Sequence, residues 1–130
     1  MNDIQPILVV DDEPLVRIVL VDALQQCGYS VLEAENGRAA LGVIDGAEQL
    51  RGLVTDIRLG PGATGWQIAD HAREKFAGLA VIYVTGDSMA DWTAKGVPRS
   101  FALQKPFASL EVVAALADLL AVQPSAPRPS

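Results

Sequence analysis

Short, unbroken runs of aliphatic residues recur along the chain, and each stops at a polar cluster. Ile7-Leu8-Val9-Val10 ends in Asp11-Asp12-Glu13. Leu53-Val54-Thr55 ends at Asp56, and Leu79 to Val84 ends at Thr85-Gly86-Asp87. Runs without alternation predict strands buried on both faces. Tyr29 to Ala34 is a further strand, and Ser100 to Leu103 is a weak one ending at Gln104-Lys105-Pro106.

Helical spacing fills the gaps. Pro14 suits a first helical turn, and apolar residues follow at Leu15, Val16, Val19, Ala23 and Leu24 until Gly28 stops the helix. Arg38 to Ile44, about Trp66 to Phe76, about Met89 to Lys95, and Phe107 to about Val122 read as the other helices. The last is expected to bury Leu110, Val113, Ala114, Ala117 and Leu120. Five strand–helix repeats predict an α/β fold with a parallel sheet covered on both faces. Right-handed crossovers leave few topologies, and the flavodoxin-like (βα)5 three-layer sandwich with strand order 2-1-3-4-5 fits best. Residues 1–122 are read as one domain, and the tail 123–130, with three prolines, as disordered.

This topology changes the meaning of the polar clusters. Sites in open α/β sheets form beyond the carboxyl ends of the strands. Asp11, Asp12, Asp56, Thr85 and Lys105 all follow such ends, on strands that are neighbours in the predicted order. Three carboxylates held together repel, unless a cation joins them. Mg²⁺ takes oxygen ligands and is commonly shared between one or two carboxylates and phosphate oxygens. A lysine and a hydroxyl beside it suit a phosphoryl group, and a carboxylate acting as nucleophile would form an acyl phosphate.

Four motifs carry a resemblance. Val9-Val10-Asp11-Asp12-Glu13, Thr55-Asp56-Ile57-Arg58-Leu59, Val84-Thr85-Gly86 and Gln104-Lys105-Pro106-Phe107 together resemble the receiver domains of two-component response regulators, from about Ile7 to Leu120. The resemblance implies that Asp56 is the phosphoacceptor and that Mg²⁺ is held by Asp12 directly and by Asp11 through water. Asp56 itself and the backbone carbonyl of Arg58 would complete the metal site. Thr85 matches the switch hydroxyl, Lys105 the lysine that contacts the phosphoryl group, and Pro106 a cis proline. The expected donor is a histidine kinase or a histidine phosphotransfer protein. Slow loss of the chain's own acyl phosphate would be its only catalysis, with no separate substrate. Stand-alone signalling would then run through protein contacts, as a monomer or weak dimer.

The chain also departs from the family. Gly60 stands where such domains often have proline, so the loop after Asp56 is one residue longer. The switch aromatic is replaced by Ala102, with Phe101 one position earlier and therefore on the opposite strand face. Val84-Thr85-Gly86 with Lys105-Pro106-Phe107 partly resembles a bacterial receiver subgroup, known from its Phe-Ala-Thr-Gly motif, that lacks this aromatic. The departures leave a second reading open, a receiver-fold interaction module that works without phosphate. A haloacid dehalogenase-type phosphohydrolase is disfavoured, because that class wants two aspartates two positions apart after strand 1.

Composition mainly excludes. A net charge of −6 with no Lys/Arg cluster argues against nucleic acid binding. No stretch nears the roughly 18 apolar residues of a membrane span, and no secretory leader is visible, so a cytoplasmic location is expected. The single cysteine, Cys27, cannot form an intrachain disulfide and reads as a small apolar residue at a helix end. Glu13 reads as a solvated first-turn acid, His71 as exposed, and Trp66 as packing at a helix start.

Overall fold

The computed structural model describes residues 5–87 and 89–121; the predicted tail 123–130 lies outside them. Its elements are β1 (Ile7–Val10), α1 (Pro14–Gln26), β2 (Val31–Ala34), α2 (Gly37–Gly46), β3 (Gly52–Asp56), α3 (Gly65–Lys75), β4 (Ala80–Thr85), α4 (Trp92–Lys95), β5 (Ser100–Gln104) and α5 (Ser109–Ala121). A 3₁₀ turn, Met89–Asp91, leads into α4, which is a single turn. The sheet is parallel throughout, in the predicted order β2-β1-β3-β4-β5.

The strands separate two apolar layers by simple alternation. Leu8, Val10, Leu53, Val81 and Tyr83 face α2 and α3, where they meet Ala40, Ile44, Ile68, Ala69 and Ala72. Ile7, Val9, Val54, Ile82 and Val84 face α1 and α5, against Leu20, Val21, Leu24, Val112 and Leu116. Each such aliphatic side chain withdrawn from water contributes about 1.5–3 kcal/mol.

The faces predicted for α1 and α5 are corrected. Leu15 and Val19 are exposed, and α1 turns Leu20, Val21 and Leu24 inward. On α5, Leu110, Ala114 and Ala117 face outward while Val112 and Leu116 are fully buried. Both helices are apolar on several sides, so periodicity alone does not choose a face; the side that lands on the sheet does.

Local chemistry sets the helix ends. Gly28, at φ 93°, ends α1 in a left-handed turn, its amide donating to Gln25 O. The Asn36 side chain accepts the Ala39 amide to cap α2, and Thr64 and Gln67 form a reciprocal capping box on α3. At the start of α3, Gly65 donates its amide to Ile57 O at 2.9 Å. A Cβ there would run into the Asp56 carbonyl and the Ile57 backbone. The close approach fixes the strand end that carries Asp56.

Gly65→Ala is therefore expected to destabilise the fold by about 1–3 kcal/mol, the usual cost of forced overpacking. Urea unfolding measures this directly; an unchanged midpoint would show that α3 can back away from β3 freely.

Candidate functional site

The carboxyl ends of β1, β3, β4 and β5 form one open cleft of about 480 Å³. Asp12, Glu13, Asp56, Arg58, Thr85, Gly86, Asp87 and Lys105 line it. Asp56 and Thr85 are the last residues of β3 and β4, while Asp11 and Lys105 directly follow β1 and β5. The Lys105 amide donates to Thr85 O at 2.8 Å, which carries the β4–β5 ladder one step further. Lys105-Pro106 is cis, as expected.

Lys105 is the hub. Its ammonium donates to Asp56 Oδ2 at 3.0 Å and to Glu13 Oε1 at 3.0 Å, and lies 3.7 Å from Asp11 Oδ2. Burial opposes its charge, but the bonds to Glu13 and Asp56 outweigh burial and raise its pKa. The carboxyls respond the other way. Burial pushes Asp11 up to about 6, only partly offset by the Glu13 amide and Lys105, and Asp56 and Glu13 push it further. Burial also raises Asp56, opposed by Lys105 and the amides of Ile57 and Arg58.

Two observations test whether a cation fits. One oxygen each of Asp11, Asp12 and Asp56 can be chosen so that all lie within 4.8 Å of one another. Asp11 Oδ2 is buried and has no hydrogen-bond partner among the described residues. An all-oxygen set with one unsatisfied buried carboxylate oxygen suits a hard divalent ion such as Mg²⁺.

The predicted site residues Asp11, Asp12, Asp56, Arg58, Thr85 and Lys105 all lie at this end of the sheet. Arg58 lines the cleft, and its side chain turns across the mouth to Asp87, with Nε 2.9 Å from Oδ1. The Thr85 hydroxyl is buried and accepts the Asp87 amide at 3.3 Å. Phe101 lies on the α5 side with Leu119, away from the cleft, whereas Ala102 packs into the layer that also receives Trp92.

Glu13 needs correction: it is solvated, yet its carboxylate also engages Lys105. Sequence reading passed over Arg17 altogether. Its guanidinium donates to the Asp11 main-chain carbonyl at 2.7 Å and pairs with Glu33 at 3.2 Å. Nothing in the side-chain pattern signals a bond that ends on a main-chain carbonyl. His71 is partly exposed as expected, with its ring 2.7 Å from Asp45. Cys27 is exposed at the α1 C-cap. Trp66 packs on Tyr83, ring centroids 4.7 Å apart.

The response regulator receiver domain profile matches residues 7–117. The chain belongs to that family. It is 40% identical over 113 residues to the positive alginate biosynthesis regulatory protein of Pseudomonas aeruginosa, covering 85% of this chain and 45% of that protein. It is 33% identical over 90 residues to the sensor histidine kinase RcsC of Escherichia coli, covering 69% of this chain and 9% of the kinase. The receiver domain thus spans less than half the length of either relative. Among solved structures, a response regulator receiver protein from Sinorhizobium medicae superposes with a TM-score of 0.89 at 31% identity, covering 93% of this chain and 98% of that one. TrrA of Thermotoga maritima, solved in complex with Mg²⁺ and BeF, gives 0.71 at 31% identity, covering 88% and 98%.

The raised carboxyl pKa values predict an unusual stability profile for the metal-free domain. A carboxyl whose pKa rises on folding stabilises the fold while protonated, and that contribution is lost as pH climbs through the folded value. From pH about 4 to somewhat above 6, Asp11 should therefore remove up to about 3 kcal/mol of stability, with Asp56 acting in the same direction. Denaturant melts in a chelator across this window check it. Asp11→Asn should flatten the decline; a profile unchanged by that substitution refutes the assignment.

Proposed function

We propose that the domain accepts a phosphoryl group on Asp56 from a phosphohistidine, with Mg²⁺ bound by Asp11, Asp12, Asp56 and the Arg58 carbonyl. The observation that carries this is the Asp56 carboxylate, which meets the Lys105 ammonium at 3.0 Å beside two further carboxylates. An Asp56 oxygen attacks phosphorus and an O–P bond forms as the P–N bond breaks, its electron pair returning to a donor ring protonated on its other nitrogen, which leaves as neutral imidazole. Lys105 leaves its carboxylate partner for a phosphoryl oxygen, and the Thr85 hydroxyl donates to another. A cation held by Asp11, Asp12, Asp56 and the Arg58 carbonyl would supply positive charge to offset the carboxylates and the incoming phosphoryl oxygens.

The donor is a histidine kinase or a phosphotransfer protein. Beside the cleft runs an apolar groove lined by Leu15, Val16, Val19, Pro106 and Phe107, with Lys105 at its border. Such a surface suits a protein donor better than a small anion.

The phosphorylated state is read through the segment after Thr85. Moving the Thr85 hydroxyl toward phosphate takes it from the Asp87 amide. The far end of the segment is fixed: the Val97 amide donates to Tyr83 Oη at 3.0 Å, and Arg73 donates to Pro98 O at 2.8 Å. Between these points α4 is one turn, held by the Trp92 indole donating to Ser100 Oγ at 3.0 Å. A single turn has little helical stability of its own. Ala102 has no bulk to move, so strand β5 is not the relay.

Incubation with acetyl phosphate and Mg²⁺ should add one phosphate by mass to the wild-type chain and none to Asp56→Asn. Equal labelling of both moves the site elsewhere, and no labelling of either favours the phosphate-independent interaction module. Amide hydrogen exchange with and without beryllofluoride should change across residues 86–96. Changes confined to residues 101–103 would refute the relay.

A further inference from the structure

The geometry points to Arg17 as a positioning residue for the metal centre, acting through the Asp11–Asp12 peptide. The inference rests on reading Asp11, Asp12 and Asp56 as a Mg²⁺ site.

Arg17 belongs to the second turn of α1, and only 17% of its side chain is exposed. Its Nη1 donates to the main-chain carbonyl of Asp11 at 2.7 Å, the shortest bond this side chain makes. Its Nε donates to Glu33 Oε1 on β2 at 3.2 Å. The carbonyl it holds belongs to the peptide that joins the two acids. Because a peptide is planar, fixing its C=O also fixes the N–H and the Cα of the next residue. The orientation of Asp12 is thereby tied to the guanidinium.

The rest of the turn needs this restraint. The Asp11 amide is held at the end of the ladder by Ala34 O at 3.2 Å, and Asp11 Oδ1 accepts the Glu13 amide at 2.9 Å. Among the described residues no side-chain hydrogen bond or ion pair anchors Asp12 in the same way, and it is exposed. Glu13 begins α1 as its N-cap with no side-chain capping bond. The peptide between the buried and the exposed acid is thus gripped from the α1 side by Arg17. The guanidinium also brings a positive charge to the back of an acidic cluster. It never reaches the cleft, whose lining contains Asp12, Glu13 and Lys105 but not Arg17.

Glu33 supplies the control. It holds the outer edge of the guanidinium and is itself half exposed. Removing its charge leaves the Arg17–Asp11 bond available. A purely structural strut between α1 and β2 would be weakened by changing either partner, whereas a positioning role runs through Asp11 alone.

Mg²⁺ affinity of the whole chain by calorimetry, with the thermal midpoint in chelator recorded for each variant, separates these roles. Arg17→Met keeps the aliphatic stem and removes every donor. It should weaken Mg²⁺ binding about five- to tenfold. Arg17→Lys, which can still donate to the Asp11 carbonyl, should recover most of that loss. Glu33→Gln should stay within twofold of wild type. Wild-type affinity in Arg17→Met overturns the inference, and so does equal weakening in Glu33→Gln. Asp12→Ala, expected to lose tenfold or more, tests the underlying reading. If it binds as wild type, the metal-centre assignment itself is wrong; if it fails to bind while Arg17→Met is unaffected, only the role of Arg17 falls.

Discussion

Everything at the working end of this domain depends on keeping acids together against their mutual repulsion. The fold brings Asp11 and Asp56 into a region with little water, where burial raises the cost of ionising both and the Asp56 carboxylate adds to that cost for Asp11. One ammonium, on Lys105, spans the group and bonds to Asp56 and to Glu13 at the same distance. A lysine can do this because its three donors rotate on a flexible stem. The arrangement is compensated without being satisfied, since Asp11 Oδ2 keeps no hydrogen bond. A site left short of positive charge is one that gains from a cation and from a change of partner for the lysine. The same tension that limits stability would supply driving force for binding a cation there.

The parallel sheet makes this tension possible. β1, β3 and β4 are buried on both faces, so their aliphatic residues fix position and register without help from the loops. Because register is fixed, each polar residue arrives beyond its strand at a set height. Gly65 then lets α3 begin directly against the Asp56 carbonyl. The energy that holds the charged end in place therefore comes from the two apolar layers, remote from the charges themselves.

This division explains what the sequence discloses. Strand runs without alternation identify β1, β3 and β4, and their polar ends name Asp11, Asp12, Asp56 and Thr85, while Lys105 follows the weaker run of β5. Backbone periodicity and strand ends are local properties, legible in a window of a few residues. Helix faces were less legible: Leu15, Val19 and Leu110 fit an apolar spacing but lie outward, because α1 and α5 carry more aliphatic residues than the sheet can cover. The partners of Glu13 and Arg17 were not legible at all. The Glu13–Lys105 bond joins residues 92 positions apart, and the Arg17 bond ends on a main-chain carbonyl, which leaves no mark in side-chain pattern.

With alanine at position 102, the proposed signal would have to travel by a route other than β5. A strand side chain could act only by exchanging one packed position for another, and a methyl group offers no such pair of states. The alternative path is already built asymmetrically. Its far end is tied by Tyr83 and by Arg73, whose two hydrogen bonds end on the carbonyls of Pro98 and Arg99. Its near end hangs on the buried Thr85, the group that phosphate would attract. In between, the Trp92 indole lies over Gly96 with one hydrogen bond to Ser100, and substituting any larger residue at Gly96 would push the ring away. The net worth of one such neutral bond is about 1 kcal/mol. That is small beside the charge-assisted bonds that a phosphoryl group would make with Thr85 and Lys105. The weakest link in the chain from Asp56 outward is therefore the α4 turn, and a change at the cleft should be absorbed there before it disturbs the sheet.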